Sequence, residues 1–419
     1  MLKNYKISQI ERGVTLIVKN IVLLGDGMAD YPLAELGDLT PLQYANTPNM
    51  DKLALTSRLG MVKTIPEGYA PGSDVANLSV IGYDPKMYYT GRSPLEAASM
   101  GIELAKGDIA FRCNLVTLGD ELDYENKTML DYCAGEISSP KAKMLIDLIN
   151  QNYDGGEITF YPGISYRHLM LWRNGKINME TTPPHDIADK IIGSHLPTGD
   201  GADILLNMMK QSYDALSNHP INVEKLKLGE HPANSIWLWG QGTKPNMPSF
   251  QSLYGLKGAM ISAVDLTKGL ALSMGLEVIE VPGATGNIHT NFSGKAQAAL
   301  RTLYDGMEFV YIHVEAPDEA GHQGSIEDKI KAIEAIDNKV LGELMAGMNS
   351  IEKYKLILLP DHPTPLELRT HTAEPVPFMI FDSTRPAKGM PSFDEISAKS
   401  TGLYIDKGDT LMNYFINKT

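Results

Sequence analysis

Cysteine is scarce in this chain of 419 residues: only Cys113 and Cys133 occur, and no CxxC pair. That excludes a thiolate zinc centre of ordinary spacing and a disulfide framework. A reducing cytoplasm is the expected setting. An excess of basic residues is also missing, since 37 Lys and Arg face 51 Asp and Glu, for a net charge of -14. A general nucleic-acid or membrane-surface binder needs basic patches and is excluded, so neither is expected as a partner. A small anionic substrate is not excluded, because a few local cations serve one phosphate. Long apolar runs are absent as well. The opening MLKNYKISQIERG lacks the apolar core of a signal peptide. The longest early apolar run, Val14 to Leu24, is broken by Lys19 and Asn20 and is too short to span a bilayer. Internal repeats and low-complexity segments are lacking too.

What is present is ample material for a core: 43% apolar and 21% charged residues, as in ordinary globular proteins. The length exceeds one compact core, which suggests two or three domains, or one large domain carrying an insertion. Short β-rich runs recur at Asn20–Leu24, Ile236–Trp239, Ala259–Val264, Glu277–Val281, Phe309–Val314, Lys355–Leu359 and Phe378–Phe381. Most are continuously apolar, as buried strands are. Helical patterns alternate with them. Asp328 to Met345 has helical spacing, with Ser325 and Asp328 resembling a capping box. Thr47-Pro48-Asn49-Met50-Asp51 reads as a cap opening a helix that carries Leu53 and Leu55. Strand–helix alternation predicts an α/β fold with a mostly parallel sheet flanked by helices. From 107 to 231 the strands scatter among loop clusters such as Thr181-Thr182-Pro183-Pro184. This stretch is expected to be an inserted α+β domain, flanked by core segments 1–106 and 232–419.

Ligands gather at the carboxyl ends of strands in open α/β sheets. Three predicted strands end in metal-ligating residue types. IVLLGDGMAD places Asp26 just past a strand, VYIHVEAPDEAGH places Asp318 and His322 four residues apart, and LILLPDHPTP places Asp361 and His362 at the exit. Each alone has a plainer explanation. An Asp after a strand is commonly a turn former, a lone His is more often structural, and an i,i+4 pair shares a helix face without a ligand. Together they favour a metal centre, with His371 in RTHTAEPVP as a further ligand. Mixed Asp/His ligation suits Mn²⁺, Zn²⁺ or Mg²⁺. In YAPGSDVANLSVIGYDP, Ser73 follows Pro71-Gly72 and opens a helical run. It is either a plain N-cap or a hydroxyl at a helix N-terminus suited to phosphate. Metal coordination would activate such a hydroxyl as a nucleophile.

These segments, with TPNMDKLA, YTGRSPLEAASMGIEL, FRCNLVTL, SYRHLM, IWLWGQGTKP and VPGATGN, together resemble the cofactor-independent phosphoglycerate mutases. The likeness is to their archaeal-type branch, in the alkaline phosphatase superfamily, and covers nearly the whole chain. It implies an alkaline-phosphatase-like core interrupted by a substrate domain, and two divalent ions, Mn²⁺ foremost, with no need of 2,3-bisphosphoglycerate. Asp318, His322 and His371 would hold one ion. Asp26, Asp361 and His362 would hold the other, with Ser73 as ligand and nucleophile. The family's catalytic lysine falls at Lys257, and Arg92, Arg112, Asn114, Arg167 and His168 become substrate contacts. The implied reaction passes a phosphoryl group from phosphoglycerate to Ser73 and back to the other hydroxyl of the retained glycerate. One residue departs from the pattern: Glu136 in DYCAGEIS stands where a basic residue is expected. That opens an alternative, a related phosphotransferase such as a homoserine kinase, whose substrate ammonium would pair with Glu136, or a phosphohydrolase.

Overall fold

A computed structural model describes residues 18–153, 156–348, 350–351 and 353–417. The opening segment, including the start of the Val14–Leu24 run, lies outside the described residues. Among them no helix is long and apolar enough to cross a membrane.

The sequence KNIVLLG forms the strand Lys19–Gly25 near the middle of an eight-stranded sheet. Successive side chains of a strand point to opposite faces. Ile21 and Leu23 enter one apolar cluster, while Val22 and Leu24 enter another on the opposite face. A strand buried on both sides must be continuously apolar, which is why its residues do not alternate with polar ones. Across the sheet the order is Glu277–Val278, Gly258–Ile261, Phe309–Val314, Lys19–Gly25, Tyr354–Leu359, Val376–Asp382, Arg58–Val62 and Tyr404–Ile405. Val376–Asp382 alone runs against the others. The fold is thus α/β, with a mostly parallel sheet flanked by helices. The register sets Leu24 opposite Leu359, and Gly25 opposite Val314. Three neighbouring parallel strands therefore end side by side.

A second, antiparallel sheet has its own core. Ile109–Leu118 pairs with Met129–Asp131, Arg167–Trp172 and Ser235–Thr243, and Ile158–Tyr161 pairs with Arg167–Trp172. The run Ile236–Trp239, grouped from sequence with the strands of the parallel sheet, belongs here instead. A continuously apolar run marks a buried strand but not the sheet it joins; pairing with Asn114 and its neighbours decides that. We propose that the inserted unit extends past residue 231 to take in Ser235–Thr243. Helix Ser93–Ser99 packs on Ile109–Leu118 and Ser235–Thr243 and, on its other side, on helix Asp265–Ser273 of the core. The last contact is close: a Cβ on Gly269 would collide with the Leu95 carbonyl.

Two local expectations change. Helix Pro48–Ala54 does begin after Thr47, but the Thr47 side chain makes no capping bond. The Asp337 carboxylate caps it instead, accepting from Met50 N at 2.7 Å and Asn49 N at 3.3 Å. Leu55 ends outside the core, more than half exposed. The helical stretch read as Asp328 to Met345 is α-helix over Ile326–Ala335, then widens to a π-helical segment over Ile336–Leu341 before Gly342–Met348. That segment carries Asp337. Ser325 caps the first part as expected, accepting from Asp328 N at 3.3 Å.

Candidate active site

Asp26 leaves the central strand, Asp361 and His362 leave the neighbour on one side, and Asp318 follows the neighbour on the other. Glycine makes this convergence possible. Gly27 has φ +61°, and a Cβ on it would sit 2.7 Å from both Asp318 Cα and Asp318 Oδ1. Only glycine takes both that backbone and that approach at no steric cost. His322, four residues after Asp318, lies on the same face of helix Ala316–Gln323.

Two constellations result. In the first, Asp26, Asp361 and His362 are all buried and present ligand atoms within 4.8 Å of one another. Ser73 Oγ stands against this group, 3.1 Å from His362 Nε2 and 3.4 Å from Asp26 Oδ2. Gly72, not Ser73, takes the N-cap position of helix Ser73–Val80, so the hydroxyl is turned to the cluster and not spent on capping. In the second, His322 Nε2 lies 3.3 Å from Asp318 Oδ2, and His371 Nε2 lies 3.3 Å from Asp318 Oδ1. The two Nε2 atoms are 2.8 Å apart. His362 bridges the sets, since it also groups with Asp318 and His371.

The donor set fits divalent cations. Among the described residues Asp26 Oδ1 is buried with no hydrogen-bond partner, the His362 imidazole standing 3.4 Å away, a costly arrangement for a carboxylate unless a cation meets it. Burial first, then the charges of Asp361, Asp318 and Glu315, pushes Asp26 well above the ordinary carboxylate range. Two imidazole nitrogens and a carboxylate facing one another at His322, His371 and Asp318 make the second nitrogen–oxygen set.

Residues that drew no notice in the sequence orient these groups. His313, fully buried in its strand, places Nε2 2.9 Å from Asp26 Oδ2 and Nδ1 3.3 Å from Ser262 Oγ. Burial drives its pKa down to about 4, so the ring meets Asp26 as a neutral hydrogen-bonding partner and brings no positive charge to the cluster. Asn77 lies one helical turn beyond Ser73. It donates to the Ser73 carbonyl and to Asp361 Oδ2, each at 2.8 Å, and Tyr311 OH donates to Asn77 Oδ1 at 2.6 Å. Asp361 Oδ1 accepts from Gly27 N and His362 N. Thr364 donates to Asp318 Oδ1 at 2.5 Å. The one available signal was a polar residue inside an otherwise apolar run, as His313 is in FVYIHV.

The site opens into a cavity of about 420 Å³ lined by Ser73, Asp74, Tyr89, Arg92, Glu315 and His371, among others. A second cavity of about 550 Å³ shares Arg92, Val264 and Leu266 with it and carries Arg112, Arg167 and His168. Glu96 receives Arg92 Nε at 3.1 Å and Arg112 Nε at 3.2 Å. Arg112 also stacks over Trp239 at 4.2 Å, and Arg167 over Tyr166 at 5.1 Å.

The model of the family described as 2,3-bisphosphoglycerate-independent phosphoglycerate mutase matches residues 54–222. A Geobacter sulfurreducens protein named "Probable 2,3-bisphosphoglycerate-independent phosphoglycerate mutase" is 53% identical over 96% of this chain and 100% of its own length. A Methanothrix thermoacetophila protein of the same name without the qualifier is 50% identical over 95% of this chain and 100% of its own. This chain belongs to the 2,3-bisphosphoglycerate-independent phosphoglycerate mutase family. Among solved structures, the cofactor-independent phosphoglycerate mutase of Thermoplasma acidophilum superposes with a TM-score of 0.67 at 26% identity, covering 96% of this chain and 100% of that one.

Two expected site residues of this family member stand elsewhere, and so does Glu136, the residue that departs from the family pattern. Lys257 is exposed and precedes strand Gly258–Ile261, at the amino end of the parallel sheet, whereas the site lies at the carboxyl ends. A lysine beside a strand does not reveal which end it flanks until the strand direction is known. Lys295, by contrast, is buried beside the site, donating to the His313 carbonyl at 2.7 Å. Asn114 lines neither cavity. Its amide donates to the Tyr132 carbonyl and accepts from Trp239 Nε1 at 3.0 Å, so it holds up Trp239 beneath Arg112. Glu136 is exposed, accepts from Ser165 Oγ at 3.5 Å and lines neither cavity, which removes the motive for a homoserine substrate.

His168 does border the second cavity but is buried, with Nδ1 accepting from Gly163 N at 3.0 Å and Nε2 without a hydrogen-bond partner among the described residues. Burial lowers its pKa to about 3. As pH falls below about 6.5 the unfolded chain takes a proton that the folded chain refuses, so stability falls with pH in that window. Denaturant titrations from pH 7 to pH 5 should show a steeper loss for the parent than for His168→Gln, by up to about 1.4 kcal/mol per pH unit; parallel profiles would mean that His168 titrates normally. Gly27→Ala is expected to weaken Mn²⁺ binding by about tenfold or more, as lost ligand support does, and calorimetric titration of the metal-stripped variant checks it.

Proposed function

We propose that this protein interconverts 2- and 3-phosphoglycerate by passing the phosphoryl group through Ser73 Oγ. The observation that carries this reading is the contact of Ser73 Oγ with Asp26 and His362, from two separate strand exits, in the lining of a cavity that shares Arg92 with a neighbouring cavity bearing Arg112 and Arg167. Asp26, Asp361, His362 and Ser73 would hold one divalent ion, and Asp318, His322 and His371 the other. Mn²⁺ suits these donors best, with Mg²⁺ or Zn²⁺ as substitutes. When bound, such ions lower the pKa of a coordinated hydroxyl and offset charge on a transferred phosphoryl group.

The chain's own residues account for the rest. His313 and Asn77 hold Asp26 and Asp361 in place beside Ser73, so the nucleophile needs no reorganisation when it attacks. Arg92, Arg112 and Arg167 carry the charge and fork geometry to bind the substrate carboxylate, and Trp239 and Glu96 keep Arg112 oriented before substrate arrives. In the first half-reaction Ser73 Oγ gives up its proton and forms the O–P bond as the substrate C–O–P bond breaks at phosphorus, and the freed glycerate oxygen takes a proton. In the second, the other glycerate hydroxyl gives up its proton and takes the group back, and Ser73 Oγ regains a proton. Glycerate held by the arginines meets phospho-Ser73 before water does, which separates a mutase from a phosphatase. We place the activity in the cytoplasm, in glycolysis.

An enolase-coupled assay on 3-phosphoglycerate, with Mn²⁺ and without 2,3-bisphosphoglycerate, should show turnover that a chelator abolishes. Ser73→Ala should lower kcat to background, and Arg112→Ala should raise KM for phosphoglycerate by about tenfold or more, the scale of a lost charge-assisted bond. Full activity in Ser73→Ala would exclude the covalent route.

A further inference from the structure

Lys329 shows nothing unusual in the sequence, where it occupies the second turn of a helix rich in charge. In the structure it is buried completely, and so is its partner carboxylate on Asp30. Its ammonium makes three bonds: to Asp30 Oδ2 at 2.6 Å, to the Thr364 carbonyl at 2.8 Å and to the Ala29 carbonyl at 3.3 Å. Each acceptor lies on a loop that carries a residue of the site. Ala29 and Asp30 belong to the loop that begins with Asp26, and Thr364 to the loop that begins with Asp361 and His362. Lys329 itself rides on helix Ile326–Ala335, the next helix after the one bearing Asp318 and His322.

The connections continue from both ends. Asp30 accepts from Tyr31 N at 2.7 Å and from Leu366 N at 3.2 Å, so one carboxylate bonds both loops. The Thr364 amide donates to the Ala29 carbonyl at 3.2 Å. Its hydroxyl reaches Asp318 Oδ1 and stands 3.3 Å from His362 Nδ1. Helix Ala316–Gln323 seats directly on this residue, and a Cβ on Gly321 would lie 2.6 Å from the Thr364 carbonyl. A buried ion pair is weak evidence for stability, because desolvation offsets much of the attraction. Its best-supported use is to specify one arrangement among several. Here the arrangement specified is the relative position of three loops whose side chains are drawn from distant parts of the chain.

We propose that Lys329 is a positioning residue for the two metal sets, acting through Asp30 and Thr364 to hold the Asp26, Asp318 and Asp361–His362 segments in register. This rests on the metal sets proposed above. Lys329→Met alone leaves Asp30 buried and unpaired and is expected to unfold readily, so the informative variant is Lys329→Met with Asp30→Asn, which removes both charges together. The measurements are calorimetric titration of the metal-stripped full chain with MnCl₂ and steady-state kinetics on 3-phosphoglycerate. The double variant should fold, bind Mn²⁺ at least about tenfold more weakly, the scale of lost support for a ligand set, and lose kcat while KM stays near the parent's. Affinity reduced by less than tenfold overturns the proposal. So does a double variant that fails to fold, which would make Lys329 a requirement of folding and not of the site. A parent protein that binds no Mn²⁺ would instead refute the metal sets themselves.

Discussion

Three carboxylates, Asp26, Asp318 and Asp361, are buried together at the ends of neighbouring strands. In a low-dielectric interior such a group repels itself strongly, and much of the surrounding structure answers that repulsion. His313 hydrogen-bonds to Asp26, Asn77 donates to Asp361, two backbone amides point at Asp361, and Thr364 donates to Asp318. Asp26 Oδ1 remains without a hydrogen-bond donor among the described residues. A chain selected for stability alone would not assemble this group. Its persistence is intelligible if the missing charge is supplied from outside as divalent cations.

The same constraint divides labour between the two sheets. The parallel sheet concentrates negative ligands at one edge, and the antiparallel sheet answers with arginines across a shared cleft. Helix Ser93–Ser99 joins them. Arg92 stands just before its first residue, Glu96 on its first turn ties Arg92 to Arg112, and the helix also packs against helix Asp265–Ser273. Glu96 therefore sets the spacing of two cations that belong to different layers. Its carboxylate also limits how positive the second cavity becomes; Arg167, stacked on Tyr166, has no carboxylate ion-pair partner among the described residues.

Legibility followed the range of the interactions involved. Asp26, Asp361 and His362 were readable because each follows an apolar strand directly, and the place of a residue after its strand is local information. The Asp318–His322 pair was readable from helical spacing. His313, Asn77, Tyr311 and Lys329 were not, since each sits inside an element whose pattern explains it adequately without a partner. Lys257 was misassigned for a related cause: the run GAMI is a strand in either direction, and only its parallel pairing with Phe309–Val314 puts Lys257 at the far end from the site. Ile236–Trp239 was seen as a strand and credited to the wrong sheet because burial on two faces leaves the same apolar signature in both.

The sequence by itself determined that the chain is an α/β protein, that acidic and imidazole side chains stand at strand exits, and that Ser73 opens a helix beside them. Periodicity and adjacency suffice for that, because they record which face of an element is buried and where it stops. Whether Ser73 caps its helix or faces the cluster was left open. Tertiary structure decided it through long-range pairing: Gly27 lets Asp318 approach, Gly72 takes the capping position, and the Ser73 hydroxyl is left directed at Asp26 and His362.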